Sequence, residues 1–461
     1  MTRRNISVLS LTLATWLFAG MAFAQTDPGV RGGGAAAGGP LASVAANNPA
    51  GSLAFFNDAL DTFKEVDSVS GTIAGEAGAG LGPRFNARSC AGCHAAPAVG
   101  GSSPATNPQV TDASADGAIN TIPSFITSTG PVREARFPFF FDQFGNPDVN
   151  NPNGGVEDLY TITGRVDAGA CNISQPSFAQ AVSVGNVIFR IPTPTFGAGL
   201  IENIDETTLL NNAAANSGSF GTSGSFNRSG NDGTITRFGW KAQNKSLLIF
   251  AGEAYNVEQG VTNEAFTQER PLPGEGQTTG LPANCKINGT PEDHTQFNQT
   301  ALGTSSDITK FSMFMRLTAA PTPNATTPGG STSINNGRSL FSAIGCNACH
   351  TVSLKTANSS LTPGLANATA TLYSDLEIHH MGNGLNDNVG QGGAGGDQFR
   401  TSPLWGLGQR IFFLHDGRTK NLITAITQHS SSGSEANSVI ANFNSLTATQ
   451  KQDLLNFLRS L

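Results

Sequence analysis

A five-residue pattern occurs twice in this chain, as Cys90-Ala91-Gly92-Cys93-His94 and as Cys346-Asn347-Ala348-Cys349-His350. In C-x-x-C-H two thiols add to the vinyl groups of a haem and the adjacent imidazole is delivered beneath the iron. Two such sites oblige the chain to build two clefts, each wide enough for a porphyrin. Two covalently attached haem c groups are therefore expected, bound through Cys90, Cys93, Cys346 and Cys349, with His94 and His350 as iron ligands.

With 461 residues the chain has room for two or three domains, each with its own core. Arg3 and Arg4 precede an apolar run from Ile6 to Phe18, and Ala22-Phe23-Ala24 follows as a small-x-small cleavage site. Residues 1–24 are expected to be a signal peptide, with no transmembrane segment once it is removed. Export agrees with thioether haems, and the expected address is the periplasm or another exported location. Nucleic acid is excluded as a partner by a formal charge of -7 and the lack of any basic run.

Four of the six cysteines are taken by the haem motifs, which leaves Cys171 and Cys285. In an oxidising compartment these two are expected either to pair or to remain as buried thiols.

Along the chain, residues 25–50 are rich in Gly, Ala and Pro and suggest a flexible leader. Leu53, Phe56, Leu60 and Phe63 recur at helical spacing between Ser52 and Lys64. The stretch 137–155 has loop chemistry, and its Asp148, Asn150, Asn151 and Asn153 suggest a possible calcium site, although their spacing departs from the EF-hand pattern. Residues 213–234 have the Ser, Gly and Asn content of a long surface loop. The Pro, Thr and Gly run from Ala319 to Ser333 marks a boundary, followed by an expected helix from Asn336 to Ile344. Thr447 and Gln450 form a capping box ahead of the stripe Leu454, Leu455, Leu458, Leu461. The expected organisation is a first haem domain over 51–320 with insertions and a second, cytochrome c-like one over 331–461. The expected fold class is mainly α, with long irregular loops.

Ligand supply is uneven. The seven histidines are His94, His294, His350, His379, His380, His415 and His429, and no Met lies between Met21 and Met313. The first haem thus lacks a conventional distal ligand nearby in sequence. Its sixth position is open, held by water, or filled from far along the chain. An open iron can meet peroxide or oxygen, whereas a carrier haem is normally closed on both faces. For the second haem, His379, His380, Met381, His415 and His429 all compete, and spacing does not rank them.

Five stretches carry a family resemblance: 81–94 around the first motif, Arg237-Phe-Gly-Trp-Lys-Ala242, His380-Met-Gly382, Phe399-Arg-Thr-Ser-Pro-Leu-Trp-Gly406 and Phe413-Leu-His-Asp-Gly-Arg418. In these the chain resembles the di-haem oxidoreductases related to bacterial di-haem cytochrome c peroxidases and the methylamine-dehydrogenase maturation enzyme. It is most similar to the branch once called thiol oxidoreductases. The resemblance implies that the second haem's distal ligand follows His415 by about four helical turns, at His429, with Met381 as runner-up. It implies an inter-haem role for Trp240 and a proton-transferring carboxylate at Glu258. Two departures are Phe250, where the peroxidases carry Gln, and the missing His after the first motif. With Tyr255 these suggest a more apolar distal pocket, as in the more distant di-haem rubber oxygenases. A peroxidase-like oxidoreductase with a small redox protein as partner is expected, against a dioxygen-using oxygenase or a non-catalytic electron carrier.

Overall fold

The computed structural model describes residues 25–32, 37–76, 78–270, 285, 288 and 291–461, so the expected signal peptide over 1–24 lies outside the described residues. Two helix pairs form the supports for the two motifs. Ser52–Lys64 packs on Asp307–Leu317, and Gly330–Ala343 packs on Ala448–Ser460. Phe63 meets Phe314 at 4.6 Å between ring centroids and the ring of His94 at 6.2 Å. The second pair repeats the arrangement, since Phe341 meets Phe457 at 5.5 Å and His350 at 6.3 Å. Each C-x-x-C-H is thus held beside a helix pair whose aromatic contacts its histidine.

These helices follow from local sequence. Ser52–Lys64 has the expected bounds and buries Phe56, Ala59 and Phe63 on one face. At the far end the capping box is present, with the Thr447 hydroxyl accepting from the Gln450 amide at 3.3 Å. The helix before the second motif starts at Gly330 rather than Asn336, inside the expected linker, because Gly329 in the left-handed region launches it directly after Pro328.

A mainly α fold is not what the chain adopts. Among the described residues thirteen α-helices alternate with thirteen strands, and the strands form six separate small sheets. The fold is mixed. Helices concentrate around the motifs, while the Gly-, Pro- and Asn-rich connections are pinned by ladders of two to six residues. One sheet matters for the site: Glu134–Arg136 pairs antiparallel with both Val156–Glu157 and Ile188–Arg190, with Glu134 opposite Arg190.

Other expectations are corrected, and the Cys171–Cys285 pairing is met. Residues 137–155 form a hairpin, in which Phe139–Phe141 pairs with Pro147–Pro152. Helix Glu206–Asn216 takes the first residues of the expected 213–234 loop. The expected leader is docked: Asp27 accepts from Arg459 Nε at 2.7 Å and from the Leu422 amide at 2.6 Å, and Val44 is fully buried in the first core. Cys171 and Cys285 form a disulfide, with Cα atoms 4.5 Å apart. No described helix is long and apolar enough to cross a membrane.

Candidate active site: two clefts joined at a tryptophan

The first cleft is assembled from three directions. Helix Leu247–Gln259 starts at the Ser246 side chain, which accepts from the Ile249 amide at 3.2 Å, and ends at Gly260. Gly260 has φ 68°, and a Cβ there would stand 2.3 Å from the Arg84 carbonyl, so only glycine lets this helix end meet the chain entering the first motif. The Glu258 carbonyl accepts from the amides of Asn86 at 2.6 Å and Ala87 at 3.1 Å, and Gln259 Nε2 lies 3.4 Å from Cys90 Sγ. Glu258 is thereby fixed beside the two thiols. The three-stranded sheet supplies Glu134, Arg136 and Arg190 to another wall, and Tyr255, Phe250, Phe311 and Met315 supply the apolar remainder.

His94 Nδ1–H donates to the Gly101 carbonyl at 3.1 Å, which leaves Nε2 for a metal. Burial lowers its pKa to about 4, so the ring is neutral and basic at Nε2. The cleft lining contains no second histidine. Burial, reinforced by the charges of Glu134 and Glu253, raises the Glu258 carboxyl to about 8. It is therefore a carboxylic acid at neutral pH, able to give up a proton. The Tyr255 hydroxyl is also pushed well up by burial.

Met315 is the sulfur that sequence distance hid, because it joins this wall from 221 positions beyond His94 (315 − 94). Its helix partners Ser52–Lys64 as Ala448–Ser460 partners Gly330–Ala343. Phe314 corresponds to Phe457, and Met315 to Leu458, which lines the second cleft. Both belong to the helix pairs whose aromatics contact the motif histidines.

The second cleft is lined by Cys346, Cys349, His350, His379, Met381, His415 and His429. His350 Nδ1–H donates to the Tyr373 carbonyl at 2.9 Å, and His429 Nδ1–H to the Ala425 carbonyl at 2.8 Å. Both imidazoles keep Nε2 free, and burial lowers the pKa of both. His379 is otherwise engaged: its Nδ1 meets Glu435 at 2.8 Å and its Nε2 meets Asp375 at 3.0 Å. Burial works against its charge, yet these partners hold its pKa above the ordinary value. His380 is exposed and bonded to Asp397, and His294 is exposed and lines neither cleft. Cys349, Asp375 and His379 lie close enough to hold a metal, but both nitrogens of His379 already have carboxylate partners.

His429 reaches the cleft by a different route from the one expected. A continuous helix from His415 does not form. Gly417 at φ 67° packs against Ile191 and Pro131 and breaks the chain direction, and a new helix, Leu422–Thr427, starts at the Asn421 cap. Its C-terminal end presents His429.

Trp240 lines both clefts and is the one residue common to their walls. Its indole N–H donates to the Ile191 carbonyl at 2.9 Å, while the Ile191 amide donates to the His415 carbonyl at 2.8 Å. The His415 ring lies edge-on to Trp240 at 6.4 Å and stacks on Phe399 at 4.3 Å. Neighbouring Lys241, buried, pairs with Asp387 at 3.1 Å and places its ammonium 4.0 Å from the other partner of that stack, Phe399.

Empty space beside the first motif comes to about 1170 Å³ and beside the second to about 1340 Å³, counted out to the mouth. Each combines two free thiols, an imidazole with an available Nε2 and an apolar lining, a donor set that fits haem.

A family model described as "Di-haem oxidoreductase, putative peroxidase" matches residues 149–461, more than half of the chain. The chain belongs to the di-haem oxidoreductases. As a member of that family it is an oxidoreductase that uses haem, in line with the resemblance carried by the sequence stretches. The matched range contains Trp240, Glu258, the second motif and His429, while the first motif precedes it. No curated protein matches the chain. Among solved structures, a chain of Kuenenia stuttgartiensis hydrazine synthase pressurised with xenon aligns at 15% identity and a TM-score of 0.22, covering 35% of this chain and 56% of that one. This di-haem oxidoreductase thus spans about half the length of that chain, and so low a score supports no structural argument.

Proposed function

We propose that this di-haem oxidoreductase is an exported, peroxidase-like enzyme with two covalent haem c groups, in which the first cleft meets the oxidant and the second passes electrons. The observation that carries the proposal is the asymmetry of the clefts. The second offers two imidazoles with free Nε2 atoms, His350 and His429, whereas the first offers a single imidazole, His94, together with a half-buried carboxylic acid. Bound at the motifs through Cys90, Cys93, Cys346 and Cys349, the haems would supply the one-electron chemistry. The chain supplies everything else.

Glu258 holds a proton at its carboxyl until a bound oxidant oxygen accepts it, and Tyr255 stands in the same cleft with a hydroxyl that keeps its proton. Phe250, Phe311 and Met315 keep that wall apolar, which strengthens the electrostatics of the acid. Trp240, touching both clefts, bridges electron movement between them. A small redox protein serves as the electron partner and peroxide as the oxidant. A second reading, a dioxygen-using oxygenase, is favoured by Phe250 and the apolar wall around it.

Titration with cyanide in the oxidised state and carbon monoxide in the reduced state tests the proposal. One ligand per chain is expected, bound at the His94 haem. Two equivalents would remove the asymmetry, and none in either state would leave an electron carrier. A stable dioxygen adduct in the protein as isolated would favour the oxygenase reading.

A further inference from the structure

Two guanidinium groups in the wall between the clefts have no carboxylate in direct contact among the described residues. Arg400 ends strand Gln398–Arg400, and Arg410 follows the short turn Leu407–Gln409. Both line the second cleft, and both line a smaller cavity that borders Gly239, Phe250 and Met315 of the first. Arg400 is tied to the inter-cleft tryptophan: its amide donates to the Trp240 carbonyl at 2.9 Å and its Nε to the Gly239 carbonyl at 3.0 Å. Among the described residues no acid lies within ion-pair distance of either side chain. By contrast Arg165 pairs with Glu76, Asp116 and Asp167, Arg190 with Asp387, and Arg459 with Asp27.

Burial lowers both arginines to about 10, and the Arg410 charge depresses Arg400 further against a smaller opposing contribution from Asp375, which makes no direct contact. Like charges with no contacting carboxylate in a partly dry wall are costly unless an anion completes the site. A haem brings two carboxylates on one edge of its ring, and a guanidinium meets a carboxylate with two parallel hydrogen bonds.

We propose that Arg400 and Arg410 form the seat for the carboxylate pair of the haem held at Cys346 and Cys349. The seat orients that haem with its carboxylate edge toward the wall shared with the first cleft. Positive charge beside the ring favours the reduced iron, so the same pair raises the potential of the electron-passing haem. The inference rests on the second motif being loaded with haem, and the test separates the two.

Arg410→Gln, Arg400→Gln and Arg410→Lys are made in the full chain, and haem content is read by mass before an optical redox titration of each haem. With two haems attached, the second haem's potential is expected to fall in both glutamine variants and to be partly restored in Arg410→Lys. The first haem's potential should move less. An unchanged second potential in both glutamine variants, with two haems present, overturns the proposal. A wild-type chain with one haem refutes the loading of a motif instead. Acetate provides the last arm: a spectral shift with acetate in the wild type that Arg410→Gln abolishes, with potentials unchanged, assigns the seat to an external carboxylate and also overturns the proposal.

Discussion

Replacing Glu258 by Gln removes the half-buried acid beside the first motif's thiols with little change of shape. In the folded protein this carboxyl is raised from an ordinary 4.5 to about 8, first by burial and then by Glu134 and Glu253. At pH 7 about nine in ten molecules therefore carry the proton, by the ten-to-one ratio for each unit below a pKa. Positioned proton transfer is typically worth about 10²- to 10⁴-fold in rate. Peroxide-driven oxidation of a reductant should accordingly slow by about 10²- to 10⁴-fold in Glu258→Gln. The wild-type rate should fall about tenfold per unit as pH rises beyond about 8, and the variant should lose that limb. Stability moves with the opposite benefit. A carboxyl raised on folding contributes stability below its unfolded pKa and loses it as pH climbs toward the folded one. Glu258→Gln should then unfold at higher denaturant than the wild type between pH 5 and 8, with the gap widening upward. The assay is steady-state turnover from pH 5 to 9 with haem content checked by mass. A variant within threefold of wild type, or one that keeps the alkaline limb, would refute the role of Glu258.

His429→Ala should convert the second haem from low to high spin, read by EPR, while Met381→Ala leaves it low-spin; the reverse outcome would transfer the ligand role to Met381. Trp240→Phe should retain both haems yet slow electron exchange between them, measured by photoreduction of one haem and the appearance of the electron on the other. An unchanged rate would remove Trp240 from the path. Cys171→Ser with Cys285→Ser opens a bridge between residues 114 positions apart, and should lower unfolding stability by about 2–5 kcal/mol in urea, with no loss of bound haem.

What was legible in the sequence was local. The Ser52–Lys64 helix and the Thr447–Gln450 capping box are written in neighbouring residues, and both formed as expected. His429 was found through a family resemblance and reaches the cleft despite a wrong geometric reason, since Gly417 interrupts the helix that was to carry it. The mixed fold escaped notice because most of its strands are two or three residues long, too short for an alternating pattern to register. Met315 was invisible for another reason: it joins the first motif only through the pairing of two helices far apart in the chain. Arg400 and Arg410 stand out only when their lack of a contacting carboxylate is known, which is a tertiary fact. The docking of Asp27 on Arg459 belongs to the same class, because nothing in a Gly- and Ala-rich stretch announces a distant arginine.

EPR of the purified, oxidised protein at low temperature tests the division of labour between the clefts most directly. With His94 as the only imidazole in the first cleft and His350 and His429 both lining the second, one high-spin and one low-spin iron are expected in equal amounts. Two low-spin irons would show the first closed by the protein and contradict an oxidant-binding haem at His94.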